Sequence, residues 1–186
     1  MNIRKLLLTA AVALAATAAA QTQQYSLKLD DFSNLQVTDG INVVYHTGTD
    51  SAGIVTYECT SEMADKLIFE SGKNRLKVQV AIDEGATPVG LPTVHVHSAS
   101  LAKVENSGDS TVTVLLDGPL TNFSAVVVGN GSLIVKGIYA SRVNGRISTG
   151  NGHLVLSGRA AAVNLNNIGT GSIEAGALDA KDVKCI

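Results

Sequence analysis

The side chains of this chain best suited to chemistry are four histidines, two cysteines and a scatter of carboxylates. His95 and His97 stand two apart in the alternating segment Thr93-Val94-His95-Val96-His97, so on a strand both rings leave the same face. Two imidazoles are half of a zinc site, which takes three or four ligands. No Cys or further His lies near in sequence, and an outward polar face accounts for the pair without a metal. His46 and His153 sit beside turns, and nothing in the sequence links them to that pair. A serine relay lacks its Gly-x-Ser-x-Gly elbow. Glu58, Glu70, Asp83 and Glu84 are the acidic candidates for glycoside chemistry, which needs two carboxyls facing across one bond. Scattered as they are, they read as charges on solvated faces. The Gly-Asn-Gly runs 129–131 and 150–152 lead into strands, so no helix N-terminus follows to hold a phosphate. No catalytic residue, cofactor or metal is therefore expected.

Positioning any of these groups falls to a chain that opens with a leader. Arg4 and Lys5 precede an apolar run, Leu6 to Ala19, and Ala18-Ala19-Ala20 before Gln21 makes a small-residue cleavage pattern. The run is shorter than the roughly 18 residues a spanning helix needs, so residues 1–20 read as a signal peptide and no transmembrane anchor is expected. Residues 21–186 then form one domain. Without Arg4 and Lys5, the 14 basic residues fall to 12 against 16 acidic ones. Nucleic-acid binding rests on clustered Lys and Arg, and none is clustered here. The expected location is outside the cytoplasm: periplasm, outer-membrane surface or extracellular space. Export permits a disulfide between Cys59 and Cys185, and the sequence leaves open whether their sulfurs meet.

The second half repeats. Gly108-Asp109-Ser110-Thr111-Val112, Asn130-Gly131-Ser132-Leu133-Ile134, Asn151-Gly152-His153-Leu154-Val155 and Thr170-Gly171-Ser172-Ile173-Glu174 each read as a turn and then a strand. Taking Asp109, Gly131, Gly152 and Gly171 as equivalent, the spacings are 22, 21 and 19 residues, a solenoid period. One Asp in four such turns argues against a calcium roll. A second glycine, Gly118, Gly137, Gly158 or Gly176, divides each period. Strands such as Thr111-Val112-Thr113-Val114 alternate apolar with polar, which marks one buried face. A coil of about twenty residues cannot bury that face alone, and stacking coils about 4.8 Å apart does so. The pattern predicts an all-β protein, a right-handed parallel β-helix-like solenoid, with glycines supplying positive φ at the corners. A twisted antiparallel sandwich is the alternative, and it leaves the period unexplained.

Residues 21–92 are strand-rich and less regular, and residues 93–186 hold the regular coils. Ser61 to Lys66 reads equally as a helical turn or a loop, and residues 83–92 read as a loop. Asp39-Gly40-Ile41-Asn42-Val43-Val44 is similar to the later turn-and-strand unit.

The order of these segments resembles the putative auto-transporter adhesins with a head GIN domain, found mostly in Bacteroidetes. The tripeptide stands as Gly40-Ile41-Asn42. Lys73-Asn74-Arg75-Leu76-Lys77-Val78, Thr93 to Val104 and Asn106-Ser107-Gly108-Asp109-Ser110 follow in the family's order. The resemblance implies an exported β-helical interaction protein of the cell envelope, an adhesin presenting a solenoid face to a glycan or protein partner. A structural module without a ligand, or a carbohydrate-active β-helix, are the alternatives. Gly40, Ile41 and Asn42 and the turn residues Gly108, Asp109, Gly131, Gly152 and Gly171 are expected to be structural. The chain stops part-way through a coil, so a homo-oligomer contact or a Cys185 bridge would cover the last rung.

Overall fold

The computed structural model describes residues 21–81 and 89–186. The expected signal peptide, Asp83 and Glu84 lie outside the described residues. Seven strands come first: β1 (Gln23–Lys28), β2 (Asn34–Val37), β3 (Val43–Thr47), β4 (Ile54–Cys59), β5 (Leu67–Gly72), β6 (Arg75–Val80) and β7 (Val94–Ser98). Six more follow: β8 (Lys103–Asn106), β9 (Thr111–Leu115), β10 (Leu120–Val128), β11 (Ser132–Thr149), β12 (His153–Asn167) and β13 (Ser172–Cys185). All thirteen join one curled sheet. Ser61–Ala64 is a single helical turn, α1, because the Oγ1 of Thr60 accepts a hydrogen bond from the Met63 amide at 3.4 Å and caps it. Among the described residues no helix is long and apolar enough to cross a membrane.

The period is a true stacking period. Parallel pairing of β9, β11, β12 and β13 sets Val112, Leu133, Leu154 and Ile173 over one another. On the other leg of each coil, β8, β10, β11 and β12 superpose Val104, Ala125, Gly145 and Leu165. These inward rows form the core, with Val112, Leu133, Leu154, Val104 and Ala125 fully buried. The chain is a β-solenoid in its C-terminal part and a mixed curled sheet in its N-terminal part. That is the expected class and not the sandwich.

The N-terminal rungs are not stacked in chain order. β2 lies between β6 and β8, and β3 lies between β7 and β9, all parallel. The rung of residues 34–47 is therefore inserted between two rungs that follow it in sequence. Antiparallel pairs then cover this end: β1 on β4, β4 on β7 and β5 on β6. These antiparallel strands, with β5 and β6 forming a short hairpin, end this side of the stack at β1 and β5. Tyr57 packs between Tyr25 and Phe69, with ring centroids 5.1 and 5.7 Å away. Burial, aided by Cys59, Tyr25 and Asp65, pushes the Tyr57 hydroxyl up to about 12.

The turn glycines do two different jobs. Gly129 and Gly150 have φ of +111° and +79°, as corners that bend sharply require. Within the Gly-Asn-Gly corners the expected positive φ falls on the first glycine, and Gly108, Gly131, Gly152 and Gly171 do not have it. They are glycines because each turn sits directly on the turn of the preceding rung. A Cβ on Gly131 would lie 2.3 Å from the Gly108 carbonyl oxygen and 2.7 Å from that of Ser110. Register also shifts one assignment: Ser132 faces Thr111, so buried Ser110 rather than exposed Asp109 is the counterpart of Gly131.

The Gly40-Ile41-Asn42 tripeptide is the same turn on the inserted rung. Ile41 is fully buried. Asn42 Oδ1 accepts the Thr111 amide at 2.9 Å, and the Asn42 carbonyl accepts the Val94 amide at 3.0 Å. Asn42 thereby ties the rungs above and below its own.

Candidate functional site

β3 and β7 pair in parallel with His46 opposite His97. The His95–His97 pair does leave one face, and His46 joins it, a link the sequence did not show. The 3.2 Å contact from His46 Nε2 to His95 Nδ1, against a 5.5 Å centroid separation, sets those rings edge to edge. One imidazole donates and the other accepts. His97 lies along His46 at 4.9 Å and 15°, and its Nδ1 is 3.4 Å from Ser51 Oγ. Nearly parallel ring planes do not aim three lone pairs at one point. Among the described residues, no group of three His, Cys, Asp or Glu side chains could hold a metal ion.

His46 and His97 resist protonation. Burial first, then the charge of the neighbouring imidazoles, lowers His46 and His97 below 6.5. The unfolded chain therefore takes up these protons first as pH falls. Stability from this face is complete above about 6.5 and is lost as pH drops through the lowered folded values. Urea midpoints at pH 7.5 and 5.5 test this. The native protein should lose more stability between them than the His46→Gln/His97→Gln double variant.

Other outward groups pair along the rungs. His153 meets Ser172 Oγ through Nδ1 at 2.6 Å and Glu174 Oε1 through Nε2 at 3.5 Å. Strand register brings Ser, His and Glu together here, though no elbow motif announced it. The three lie on an open strand face, so their hydroxyl–imidazole contact is a surface ladder. Glu105 accepts from Lys103, Gln36 and Ser107 at 2.9 to 3.1 Å. Burial pushes its carboxyl up, but these bonds and the Lys103 charge outweigh that and hold it below the usual range. Glu70 is exposed and bonds Gln79 at 2.9 Å, while exposed Glu58 lies on β4, opposite Gln24 of β1. The structure does not pair Glu58 and Glu70 on one strand or in one hydrogen bond.

Cys59 is buried and Cys185 exposed, and both are free thiols. From β4 the pairing runs through β7, β3, β9, β11 and β12 before reaching β13. Six steps of about 4.8 Å place the two strands far beyond the ~7 Å Cα limit of a disulfide.

A groove of about 580 Å³ crosses successive rungs. Register builds it. Tyr139, Arg159 and Asp179 face one another on adjacent rungs, as do Ala140, Ala160 and Ala180 in the next row. Ala140 and Ala160 line the groove beside Pro119, Leu120, Ser141 and Lys181. Methyl side chains leave space where Val or Leu in the neighbouring rows would fill it. Tyr139 is 58% exposed. Arg159 Nε donates to Asp179 Oδ2 at 3.2 Å. Sequence reasoning did not single out this row. Its signal was the twenty-residue recurrence of Ala140, Ala160 and Ala180 beside the one tyrosine of the regular coils.

Comparison with known proteins agrees with this architecture. A putative adhesin from Bacteroides fragilis has a TM-score of 0.79 at 19% identity, over 90% of this chain and 76% of that one. A putative lipid binding protein from Parabacteroides distasonis scores 0.67 at 16% identity, over 88% and 77%. A putative adhesin from the same organism scores 0.63 at 17% identity, over 89% and 78%. At these identities the likeness is one of fold. Among curated proteins none matches the sequence. The family model described as "Putative auto-transporter adhesin, head GIN domain" matches residues 31–186, from just before the inserted rung to the last one, and the chain belongs to that family.

Proposed function

We propose that this chain is an exported protein of the cell envelope that holds a glycan or protein partner on the outer surface of its solenoid. The observation carrying this reading is the in-register scaffold itself. In the stacked coils each outward position on a rung lies about 4.8 Å from its counterpart on the next, so the surface carries fixed ladders spanning several rungs. Such a surface suits an extended partner, because pre-organised side chains lose little freedom on binding. The match to an adhesin family supports the same reading. Export rests on the basic and apolar leader of residues 1–20.

The test is direct. Fluorescently labelled protein is applied to envelope fractions and to a glycan array. Saturable binding, competed by excess unlabelled protein, is the expected result. Failure to bind either would remove the adhesive reading.

A further inference from the structure

We propose that the groove between Tyr139 and Lys181 is a binding site for an acidic oligosaccharide, a chain of sugars bearing uronate carboxyls. This inference rests on the reading of the protein as an envelope binding protein, and it names the site and the ligand chemistry.

The aromatic comes first. Of four Tyr and three Phe, Tyr25, Tyr45, Tyr57, Phe32 and Phe123 are buried and Phe69 is half-buried. Tyr139 alone offers an open ring, and it does so at the wall of this groove. A phenol presents an apolar face and a polar tip, the combination that meets a sugar ring and its hydroxyls together.

Charge selects the acidic class. The whole chain is net negative, formally −2, yet the groove holds Arg159 and Lys181 against Asp179 alone. Asp179 engages the Arg159 Nε–H, which leaves the rest of the guanidinium fork for a carboxylate. Lys181 takes part in none of the ion pairs found among the described residues. A negative ligand is drawn to this spot although the protein as a whole would repel it.

Shape favours a linear ligand. The lining runs from Pro119 to Asp179 across four rungs, a length of about 14 Å at the usual strand spacing. Along the groove β11 and β12 are paired on both sides, so its floor offers side chains and not a free backbone edge; β13, at the last rung, pairs only with β12. A peptide that adds itself as a strand needs such an edge; a sugar chain needs only hydroxyl and carboxylate partners.

Isothermal titration tests the proposal with uronate oligosaccharides of two to six sugars, prepared from pectate, alginate and hyaluronan. Each is paired with a neutral oligosaccharide of equal length. At least one acidic series should bind saturably, with its neutral counterpart at least about tenfold weaker. Tyr139→Ala and Lys181→Glu should each weaken binding about tenfold, and Arg159→Ala by as much or more. All three side chains are exposed, and an unchanged thermal midpoint confirms that each variant folds. Gln36→Ala, in the smaller hollow beside Arg75 and Lys103, should leave affinity unchanged. The proposal is overturned if no acidic series binds, if neutral chains bind equally, or if binding survives the three changes combined. Envelope binding that persists in the combined variant would overturn the groove and leave the adhesive role standing. Loss of envelope binding by the native protein would overturn the role itself.

Discussion

Replacing Gly108 with alanine is expected to destabilise the protein by about 3 kcal/mol or more. The reason is space and not conformation, since Gly108 does not have positive φ. A Cβ there would sit 1.6 Å from the Asp39 carbonyl oxygen and 2.7 Å from the Asp39 carbonyl carbon. Both obstacles are backbone, so no side chain can swing away. The turn of the β8–β9 rung would have to lift off the turn carrying Gly40-Ile41-Asn42. That lift strains the 2.9 Å bond from the Thr111 amide to Asn42 Oδ1. The control is Gly176→Ala, where a Cβ meets nothing within 4 Å. That change should be neutral or stabilise by up to about 1 kcal/mol, because alanine restricts the unfolded chain. Urea denaturation of both variants decides the matter. Equal midpoints would mean that the turns do not stack as described.

Asn106→Val should cost about 2–4 kcal/mol, although it makes the core more apolar. Asn106 points inward at a row where the neighbouring rungs carry Val37 and Val127, and it is fully buried. Shape alone therefore favours valine. The amide opposes it. Nδ2 donates to the carbonyls of Ser110 and Ser132, each at 2.9 Å, and Oδ1 accepts the Gly108 amide at 3.1 Å. Ser110 keeps one partner, the Ser132 amide at 2.9 Å. The Gly108 N–H loses its side-chain acceptor inside the turn. A buried group left unsatisfied costs about 1–3 kcal/mol, more than the added methyl contact returns. Asn167 repeats the device at the last turn, donating to the Gly171 carbonyl at 2.8 Å. There the rung is exposed, so Asn167→Val should cost clearly less. Thermal unfolding of the two variants side by side tests both the size and the order of the effects. Equal small losses would show that the side-chain amides do not hold the turns.

These two changes mark where sequence reading stopped. The glycines at 108, 131, 152 and 171 were visible as punctuation with a period near twenty. Their reason was not, because a close approach belongs to two rungs at once and a period shows only one. The same limit explains Asp109 and Ser110. Neighbouring turn residues look interchangeable along the chain, and only pairing across rungs assigns Ser110 to the Gly131 position. The histidines make the point for the surface. His95 and His97 share a face by simple alternation, whereas His46 reaches them through the pairing of two strands about fifty residues apart.

Composition, alternation and period decided by themselves that this chain is all-β and wound into stacked coils. Those properties are local: each is written within one strand or one repeat, and burial of an alternating face leaves stacking as its outcome. Tertiary structure alone decided the rung order, with residues 34–47 inserted between rungs that come later in the chain. It also decided the separation of Cys59 from Cys185 and the alignment of Tyr139, Arg159 and Asp179 along one groove. Each of these depends on which strand lies beside which. Parallel strands of similar alternation pair almost equally well with several neighbours, so that choice falls to turn contacts and end caps far apart in sequence.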